Sequence, residues 1–422
     1  MNGRTRLTRR EFVGAAALAT VACASGRAGG AGAPPRGAST WELYVGTYTN
    51  QTQSRGIYRV VVEAETGALR EVAVAAETAN PSFLALARGR RTLVVVNELT
   101  TFEGKASGAV TSYARDASSG ALARRGQRAS QGGAPCYVSL DAAGGHALVA
   151  NYVGGNVAVL PLGAGGAIGG AIGEATSVVQ HAGKGAHPVR QVAPHAHCIV
   201  LDRAERHALV ADLGIDRIMV YRFDAAAGTL GPAPVSEVAM RAGAGPRHLA
   251  FSPDGATLYA VNELDSTLAA FAYDAERGAL NERQVLATRP PGATGENYPA
   301  DLHVHPSGRF VYATNRGDDT VAVFTVAPGN GGLSLAQSVP TGGSWPRNFA
   351  IAPDGRLLLV ANQRSDAIVG FAIDAATGRL TPTGARVELP APVCLLFVDG
   401  VARQDARQDA RRDARQDARQ DA

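Results

Sequence analysis

GPRHLAFSPDGATLYAVNELDSTLAAFAYD, residues 245–274, is the stretch of sequence that decides the fold. It contains three short apolar runs, at 248–252, 257–261 and 267–273, which are separated by two turns. The runs are rich in Val, Leu, Tyr and Phe, whereas the turns carry Pro, Asp, Gly and Asn. Short apolar runs bounded by such residues predict antiparallel strands.

The same pattern recurs along the chain, and a proline opens each copy. The seven prolines are Pro81, Pro135, Pro194, Pro246, Pro299, Pro346 and Pro392. Neighbouring prolines are 46 to 59 residues apart, and a complete unit has a fourth, less regular run, such as 283–288. A near-constant period of this size, with four strands per unit, predicts a β-propeller.

The ends of the repeat region indicate how the ring closes. The unit that begins at Pro392 has only one strand-like run, 393–398. Three unassigned runs, 42–48, 56–63 and 69–76, stand before the first complete unit. Because an open strand edge is a liability, these pieces are expected to complete one another. We therefore predict an all-β, seven-bladed β-propeller over residues 41–400, with the last blade closed by the N- and C-terminal strands.

The basic balance of the chain comes from its ends. The formal net charge is +4, of which the residues before Trp41 carry +5 and those after Ala402 carry +1, leaving −2 for the residues between. This distribution predicts no nucleic-acid-binding surface on the propeller. No internal run is long and apolar enough to predict a membrane span. Residues 401–422 repeat Arg-Gln-Asp-Ala and are expected to form a low-complexity, disordered tail.

Residues 1–37 have the order of an export signal followed by a linker. Arginines precede an apolar stretch at 12–22, which small residues follow. Residues 8–13, TRREFV, closely resemble the twin-arginine motif, so the twin-arginine translocase is the expected partner during export. Cleavage after Ala24 predicts a periplasmic or secreted protein. Lipid anchoring at Cys23 is the alternative, although Thr20 departs from the usual lipobox.

Comparison of equivalent positions separates scaffold from candidate site. The second strand of each complete unit ends in Asn or Asp, which suits a turn-holding role. The residue after it varies: Glu98, Tyr152, Leu213, Glu263, Arg316 and Gln363. The residue after the opening proline also varies: Ser82, Cys136, His195, Arg247, Ala300, Arg347 and Val393. Charged groups near the axis of a propeller are costly unless they are paired or hydrated, so this pattern predicts a site for an anionic ligand.

Two histidine pairs, His195/His197 and His303/His305, and three cysteines could carry other chemistry. His195 and His197 are two residues apart, which on one strand places both side chains on the same face and permits metal binding. A third and a fourth ligand at fitting spacing are missing from the sequence, so packed or hydrogen-bonded histidines remain the alternative. Cys136, Cys198 and Cys394 lie in apolar strands and are expected to be buried, unreactive thiols.

Several stretches resemble the lactonase family of seven-bladed propellers over roughly residues 43–398. The most specific are 44–49 (YVGTYT), 190–191 (RQ), 194–197 (PHAH), 212–214 (DLG), 245–248 (GPRH) and 261–264 (VNEL). The family includes propeller-type 6-phosphogluconolactonases and, more distantly, 3-carboxy-cis,cis-muconate lactonising enzymes. The resemblance implies an active site of one His, two Arg and one Glu. These fall on Arg247, Glu263, either His195 or His197, and Arg316, with no metal or organic cofactor.

The resemblance implies a metal-independent carboxylic-ester hydrolase that acts on a small anionic or sugar lactone, and the leader predicts that it is exported. A monomer is expected. The cytosolic relatives serve the pentose phosphate pathway, whose substrate is not expected outside the membrane, so another aldonolactone is a candidate. A non-catalytic propeller that binds a ligand or protein is one alternative. A cycloisomerase acting on a muconate-like diacid is the other.

Overall fold

Residues 40–163 and 170–398, which the computed structural model describes, form 29 strands and one short 3-10 helix. The predicted export signal and the predicted C-terminal tail lie outside these residues. No helix within the described part of the chain has the length and apolar character needed to cross a bilayer.

The strands form seven four-membered antiparallel sheets, with one added strand in blade 3. The first described strands are β1 (Thr40–Thr47), β2 (Gly56–Glu63) and β3 (Leu69–Glu77). Blade 1 consists of β4 (Pro81–Leu86), β5 (Thr92–Asn97), β6 (Ala109–Arg115) and β7 (Leu122–Ala129). Blade 2 consists of β8 (Pro135–Leu140), β9 (His146–Asn151), β10 (Asn156–Pro161) and β11 (Ser177–Gln180). Blade 3 consists of β12 (Ala196–Leu201), β13 (His207–Asp212), β14 (Arg217–Asp224), β15 (Thr229–Leu230) and β16 (Ser236–Ala239).

The remaining blades follow the same order from the axis outwards. Blade 4 consists of β17 (Pro246–Phe251), β18 (Thr257–Asn262), β19 (Thr267–Asp274) and β20 (Ala279–Ala287). Blade 5 consists of β21 (Tyr298–Val304), β22 (Phe310–Arg316), β23 (Thr320–Val326) and β24 (Leu333–Pro340). Blade 6 consists of β25 (Pro346–Ile351), β26 (Leu357–Asn362), the 3-10 helix (Gln363–Ser365), β27 (Ala367–Ile373) and β28 (Leu380–Glu388). The last described strand is β29 (Pro392–Val398).

Blade 7 is assembled from both ends of the propeller, as the sequence predicts. Its strand order is β29-β1-β2-β3. The C-terminal strand β29 is innermost and pairs antiparallel with β1 from Glu42↔Val398 to Thr47↔Pro392. Each innermost strand contacts that of the next blade, and β29 contacts both β25 and β4. The ring is therefore closed, and the seven-bladed propeller is confirmed.

The core lies between the faces of neighbouring blades. Val60 of blade 7, for example, belongs to one buried cluster with Leu359 and Ile368 of blade 6. The middle strands β5 and β18 are buried along their whole length, because both of their faces are covered. Such strands appear in the sequence as continuous apolar runs, whereas the outer strands carry the polar alternation.

A bulge at the start of most innermost strands aims one side chain per blade differently from its neighbours. In blade 4, Pro246 pairs with Asn262 and His248 with Val261, so Arg247 is the extra residue. The same register occurs in blade 3, where Ala196 pairs with Asp212 and Cys198 with Ala211, and His197 is the extra residue. Bulges commonly re-aim a side chain next to a functional site.

The register corrects the sequence analysis in blade 3. The repeat predicts Pro194 as the opening residue, but Ala196 occupies the position that Pro246 has in blade 4. His195 precedes β12, and the bulge at His197 breaks the two-residue alternation on which the shared-face prediction depended. The equivalent of Arg247 is therefore His197, not His195.

Gln191 anchors the irregular segment between β11 and β12 to the propeller. Its buried amide donates to the Leu213 carbonyl oxygen at 2.7 Å and to Asp216 Oδ1 at 2.6 Å. Asp216 in turn accepts hydrogen bonds from the backbone N–H groups of Gly243 and Gly245. These contacts hold the neighbouring Arg190 at the start of blade 4.

Candidate active site

The site begins at one end of the blade 4 hairpin. Arg247 follows the first residue of β17, and Glu263 follows the last residue of β18, so the antiparallel pairing brings them together. Arg247 Nε donates to Glu263 Oε2 at 2.9 Å. We call the end of the ring where the innermost strands begin and the second strands end the mouth.

Glu263 is the centre of a buried cluster of arginines. Arg190 Nη2 donates to Glu263 Oε1 at 2.6 Å, and Arg316 Nη2 lies 2.7 Å from Oε2. The Glu263 side chain is 5% exposed. Burial alone would raise its pKa, but the charges of Arg316 and Arg247 outweigh it and hold the pKa well below the usual range. Glu263 is thus an anion at neutral pH that holds three cations.

Arg247 and Arg316 each keep donors for a ligand. Arg247 Nη1 donates to the Ala300 carbonyl oxygen and to His248 Nε2. Arg316 Nε donates to the Tyr298 carbonyl oxygen at 2.9 Å. Within the described residues, Arg247 Nη2 and Arg316 Nη1 make no hydrogen bond. Burial lowers the pKa of Arg316 to about 9, so its guanidinium remains charged at neutral pH.

His197 is the histidine that faces this cluster. Burial, together with the charges of Arg247 and His248, holds the pKa of His197 well below its usual value, so the ring is neutral at neutral pH. Its Nδ1 lies 3.6 Å from Cys136 Sγ, the extra residue of the blade 2 bulge. Its Nε2 makes no hydrogen bond to any described residue. A neutral imidazole beside a guanidinium cluster can accept a proton from water.

His195 lies one step further out. Its Nδ1 donates to the Tyr152 carbonyl oxygen at 2.8 Å, and its ring stacks on the Tyr152 ring at 4.4 Å. Tyr152 accepts a hydrogen bond from Arg190 Nη2 at 3.2 Å, so His195 is connected to Glu263 through two intervening side chains. The structure therefore brings together Arg247, Glu263, Arg316 and His197, with His195 at the edge of the group.

A tryptophan lies beside Arg316 at the mouth. The Arg316 guanidinium lies 5.5 Å from the centre of the Trp345 ring. Trp345 has a φ of 64°, which bulky residues rarely adopt, and its N–H donates to Asp319 Oδ1 at 2.7 Å. Asn80, Ala134, Gly245 and Ala391, which also precede an opening proline, have a positive φ as well, so this geometry belongs to the repeat. No repeat pattern in the sequence singles out Trp345 as a site residue, because its contact with Arg316 joins blades 5 and 6.

A histidine and an aspartate support Arg247 from inside the ring. His248 Nδ1 donates to Asp301 Oδ1 at 2.7 Å, and its Nε2 lies 3.2 Å from Arg247 Nη1. Because arginine only donates, His248 must be neutral for this contact to be a hydrogen bond. Burial and the charge of Arg247 lower the pKa of His248 to about 4, which keeps it neutral at ordinary pH.

We expect acid to destabilise the propeller through His248. In the folded protein the His248 imidazole stays neutral down to about pH 4, whereas in the unfolded chain it binds a proton below about pH 6.5. The contribution of neutral His248 to the free energy of unfolding is complete above pH 6.5. It is lost as the pH falls from 6.5 towards 4, at about 1.4 kcal/mol per pH unit. Urea denaturation between pH 7 and pH 4 measures the free energy of unfolding at each pH. Its dependence on pH should be weaker by this amount in His248→Gln than in the wild type.

Other titratable groups near His248 also make the stability depend on pH. The pKa of His197 is also lowered, so its protonation in the unfolded chain destabilises the fold in acid as well. Part of the pH dependence of the free energy of unfolding therefore remains in His248→Gln. Asp301 is held below its usual pKa by His303 and His248 against the effect of burial, and its contribution is lost as the pH falls further. The pKa of His303 is raised by Asp301 against burial, which has the opposite effect on stability. Equal slopes in the wild type and His248→Gln would contradict the assignment.

The cysteines follow the sequence prediction. Cys136, Cys198 and Cys394 are free and buried. Burial raises the pKa of Cys198 to about 12 and also raises that of Cys136, so these thiols remain protonated. Within residues 40–163 and 170–398, no group of three or more His, Cys, Asp or Glu side chains has the arrangement of a metal site.

Comparison with known proteins places the chain in a family. The family model described as "Lactonase, 7-bladed beta-propeller" matches residues 42–397. The 6-phosphogluconolactonase of Bacillus subtilis is 34% identical over 358 residues, which cover 85% of this chain and 98% of the relative. The structure of the periplasmic gluconolactonase of Pseudomonas aeruginosa is similar, with a TM-score of 0.79 and 36% identity over 85% of this chain and 99% of that one. The chain belongs to the lactonase family of seven-bladed β-propellers.

Proposed function

We propose that the protein is an exported lactonase that hydrolyses a sugar lactone to the corresponding hydroxy acid. The observation that carries the proposal is the buried carboxylate of Glu263, which holds three guanidinium groups beside the neutral imidazole of His197. Two of these arginines keep unbonded donors. Such a site can stabilise an oxyanion and accept a proton from water within one small volume.

The proposed reaction has two steps. His197 takes a proton from water as its oxygen attacks the lactone carbonyl carbon, and the carbonyl oxygen becomes an oxyanion. Arg247 Nη2 and Arg316 Nη1 donate to that oxyanion. The ring C–O bond then breaks, the carbonyl reforms, and the imidazolium of His197 returns the proton to the leaving ring oxygen. The balance is one lactone and one water consumed for one hydroxy acid formed.

Glu263 has a positioning role in this scheme. Its Oε2 contacts Arg247 and Arg316, and its Oε1 contacts Arg190. Both carboxylate oxygens are already occupied by guanidinium groups, whereas His197 Nε2 makes no hydrogen bond to any described residue and is free to accept the proton of water. The resemblance to lactonases also allows Glu263 to act as the base itself, after Arg190 moves from Oε1 to the substrate.

The proposed location and substrate go together. The twin-arginine-like leader supports export, and one similar structure is named a periplasmic gluconolactonase. The Bacillus subtilis relative is named a 6-phosphogluconolactonase. An unphosphorylated aldonolactone is the substrate that fits an exported enzyme, with the phosphorylated lactone as the comparison.

A lactone panel tests the proposal. The purified protein should accelerate the opening of glucono-δ-lactone above the spontaneous rate, measured by proton release in weak buffer with and without the 6-phosphate. The matched blank is the Arg247→Ala variant at the same concentration. No acceleration with any lactone would favour a non-catalytic binding propeller. Loss of ultraviolet absorbance with a muconate-like diacid, in the absence of lactone hydrolysis, would favour a cycloisomerase.

A further inference from the structure

A second polar group stands at the mouth, on the other side of the ring from Glu263. Glu98 follows β5 in blade 1 as Glu263 follows β18 in blade 4. The Tyr48 hydroxyl lies 3.0 Å and 2.9 Å from the two oxygens of Glu98. Arg347, the extra residue of the blade 6 bulge, has a guanidinium that lies over the Tyr48 ring at 5.2 Å.

These groups have unused hydrogen-bonding capacity. Arg347 Nη2 is 4.0 Å from Glu98 Oε2, which is too far for a hydrogen bond. Within the described residues, the guanidinium of Arg347 makes no hydrogen bond, although its side chain is only 17% exposed. The Glu98 carboxylate accepts a hydrogen bond from one hydroxyl, that of Tyr48, whereas two carboxylate oxygens can accept about four hydrogen bonds.

Ser82 provides an independent observation at the same place. It is the extra residue of the blade 1 bulge, equivalent in register to Arg247 and His197. The residue is 3% exposed, and its hydroxyl has no hydrogen-bond partner in the described structure. A buried hydroxyl without a partner costs stability, so its place at a site-facing position points to a ligand that completes it.

We propose that Glu98, Arg347, Tyr48 and Ser82 form a subsite for the hydroxyl groups of the substrate. A sugar hydroxyl donates to a carboxylate and accepts from a guanidinium at the same time, which is the pairing that Glu98 and Arg347 offer. A phosphate or carboxylate group would be repelled by Glu98, so the subsite fits neutral vicinal hydroxyls. The inference rests on the proposed function, because it assigns the polyol part of a lactone whose carbonyl lies at Arg247.

The kinetic test separates hydroxyl recognition from chemistry. Glucono-δ-lactone carries ring hydroxyls, whereas δ-valerolactone has the same ring without them. Glu98→Gln is expected to raise KM for glucono-δ-lactone about tenfold with kcat within a factor of two, as for the loss of one charge-assisted hydrogen bond. Its kinetics with δ-valerolactone should equal those of the wild type. Glu237→Gln, an exposed acid on β16, is the matched control.

Direct binding keeps the inference testable without catalysis. Calorimetry should show that the wild type binds D-gluconate more tightly than valerate, and that Ser82→Ala and Glu98→Gln each reduce this preference. Ser82→Ala should not lower the melting temperature, since no described residue bonds its hydroxyl. Equal affinity of the wild type for the two acids, or equal KM changes with the two lactones, overturns the subsite. Failure to hydrolyse either lactone, with the gluconate preference intact, overturns only the proposed hydrolysis.

Discussion

A chain that ends at Pro390 is expected to lose the cooperative fold of the whole propeller. This truncation removes β29, which is the innermost strand of blade 7 and contacts β25 and β4 on either side. It removes the buried side chains of Val393, Leu395, Phe397 and Val398. At about 1.5–3 kcal/mol for each large apolar side chain, the loss is about 6–12 kcal/mol. The net stability of a typical domain is about 5–15 kcal/mol.

The loss extends beyond one strand because the ring depends on it. Without β29, the inner edge of β1 has no partner, and unpaired edges promote aggregation. The Leu395 N–H donates to Asn348 Oδ1 at 2.6 Å, so the truncation also leaves a buried amide of blade 6 without this partner.

Circular dichroism and thermal melting measure this result. The chain ending at Pro390 should show no cooperative transition and should sediment as aggregate. A chain ending at Val398 keeps every described strand and is the control, expected to melt like the full chain. A cooperative transition within a few degrees of the control would show that blade 7 is dispensable for closure.

Arg247→Ala and Glu263→Gln should each lower kcat/KM for the lactone substrate by at least about two orders of magnitude. Removal of one oxyanion donor costs about 10²–10³ in rate in other hydrolases. Arg247→Ala removes the Nη2 donor, and Glu263→Gln leaves three arginines without the anion that orients them. The measurement is initial-rate kinetics corrected for the spontaneous reaction and for the folded fraction.

A surface ion pair provides matched controls for these two variants. Arg217 Nη1 and Glu237 Oε1 are 2.8 Å apart, and both side chains are exposed. Arg217→Ala and Glu237→Gln should retain wild-type rates, because exposed pairs contribute little. Arg247→Lys should recover little activity, since a lysine cannot bond Glu263, His248 and Ala300 simultaneously. Near-wild-type rates for Arg247→Ala and Glu263→Gln would contradict the catalytic assignment of both.

The fold could be predicted because its signals are local. Each turn and each apolar run is contained within a few residues, and the observed β2 agrees with the predicted run 56–63. The error in blade 3 has a physical reason. The repeat predicts that a proline starts every innermost strand, but Pro194 stands two residues before β12, and the residue that pairs with Asp212 is Ala196.

The site could be predicted only where one hairpin supplies it. Arg247 and Glu263 lie at the two ends of a single antiparallel pair, so their proximity follows from the repeat. Arg190 comes from an irregular segment 73 residues before Glu263, and no periodicity fixes its position. His248 resembled an ordinary strand residue. Its contact with Asp301 requires the next blade to be in place.

The pairing of β1 with β29 has a consequence for synthesis in the cell. About 350 residues separate these strands, and a ribosome adds roughly 10 residues per second. The first strand is therefore made more than half a minute before its inner partner emerges. During this interval the nascent chain presents an unpaired edge, which makes it most vulnerable to aggregation before the last residues are translated. Slower translation lengthens that interval. The yield of folded protein should therefore decrease when the elongation rate is lowered, even though the finished ring is closed.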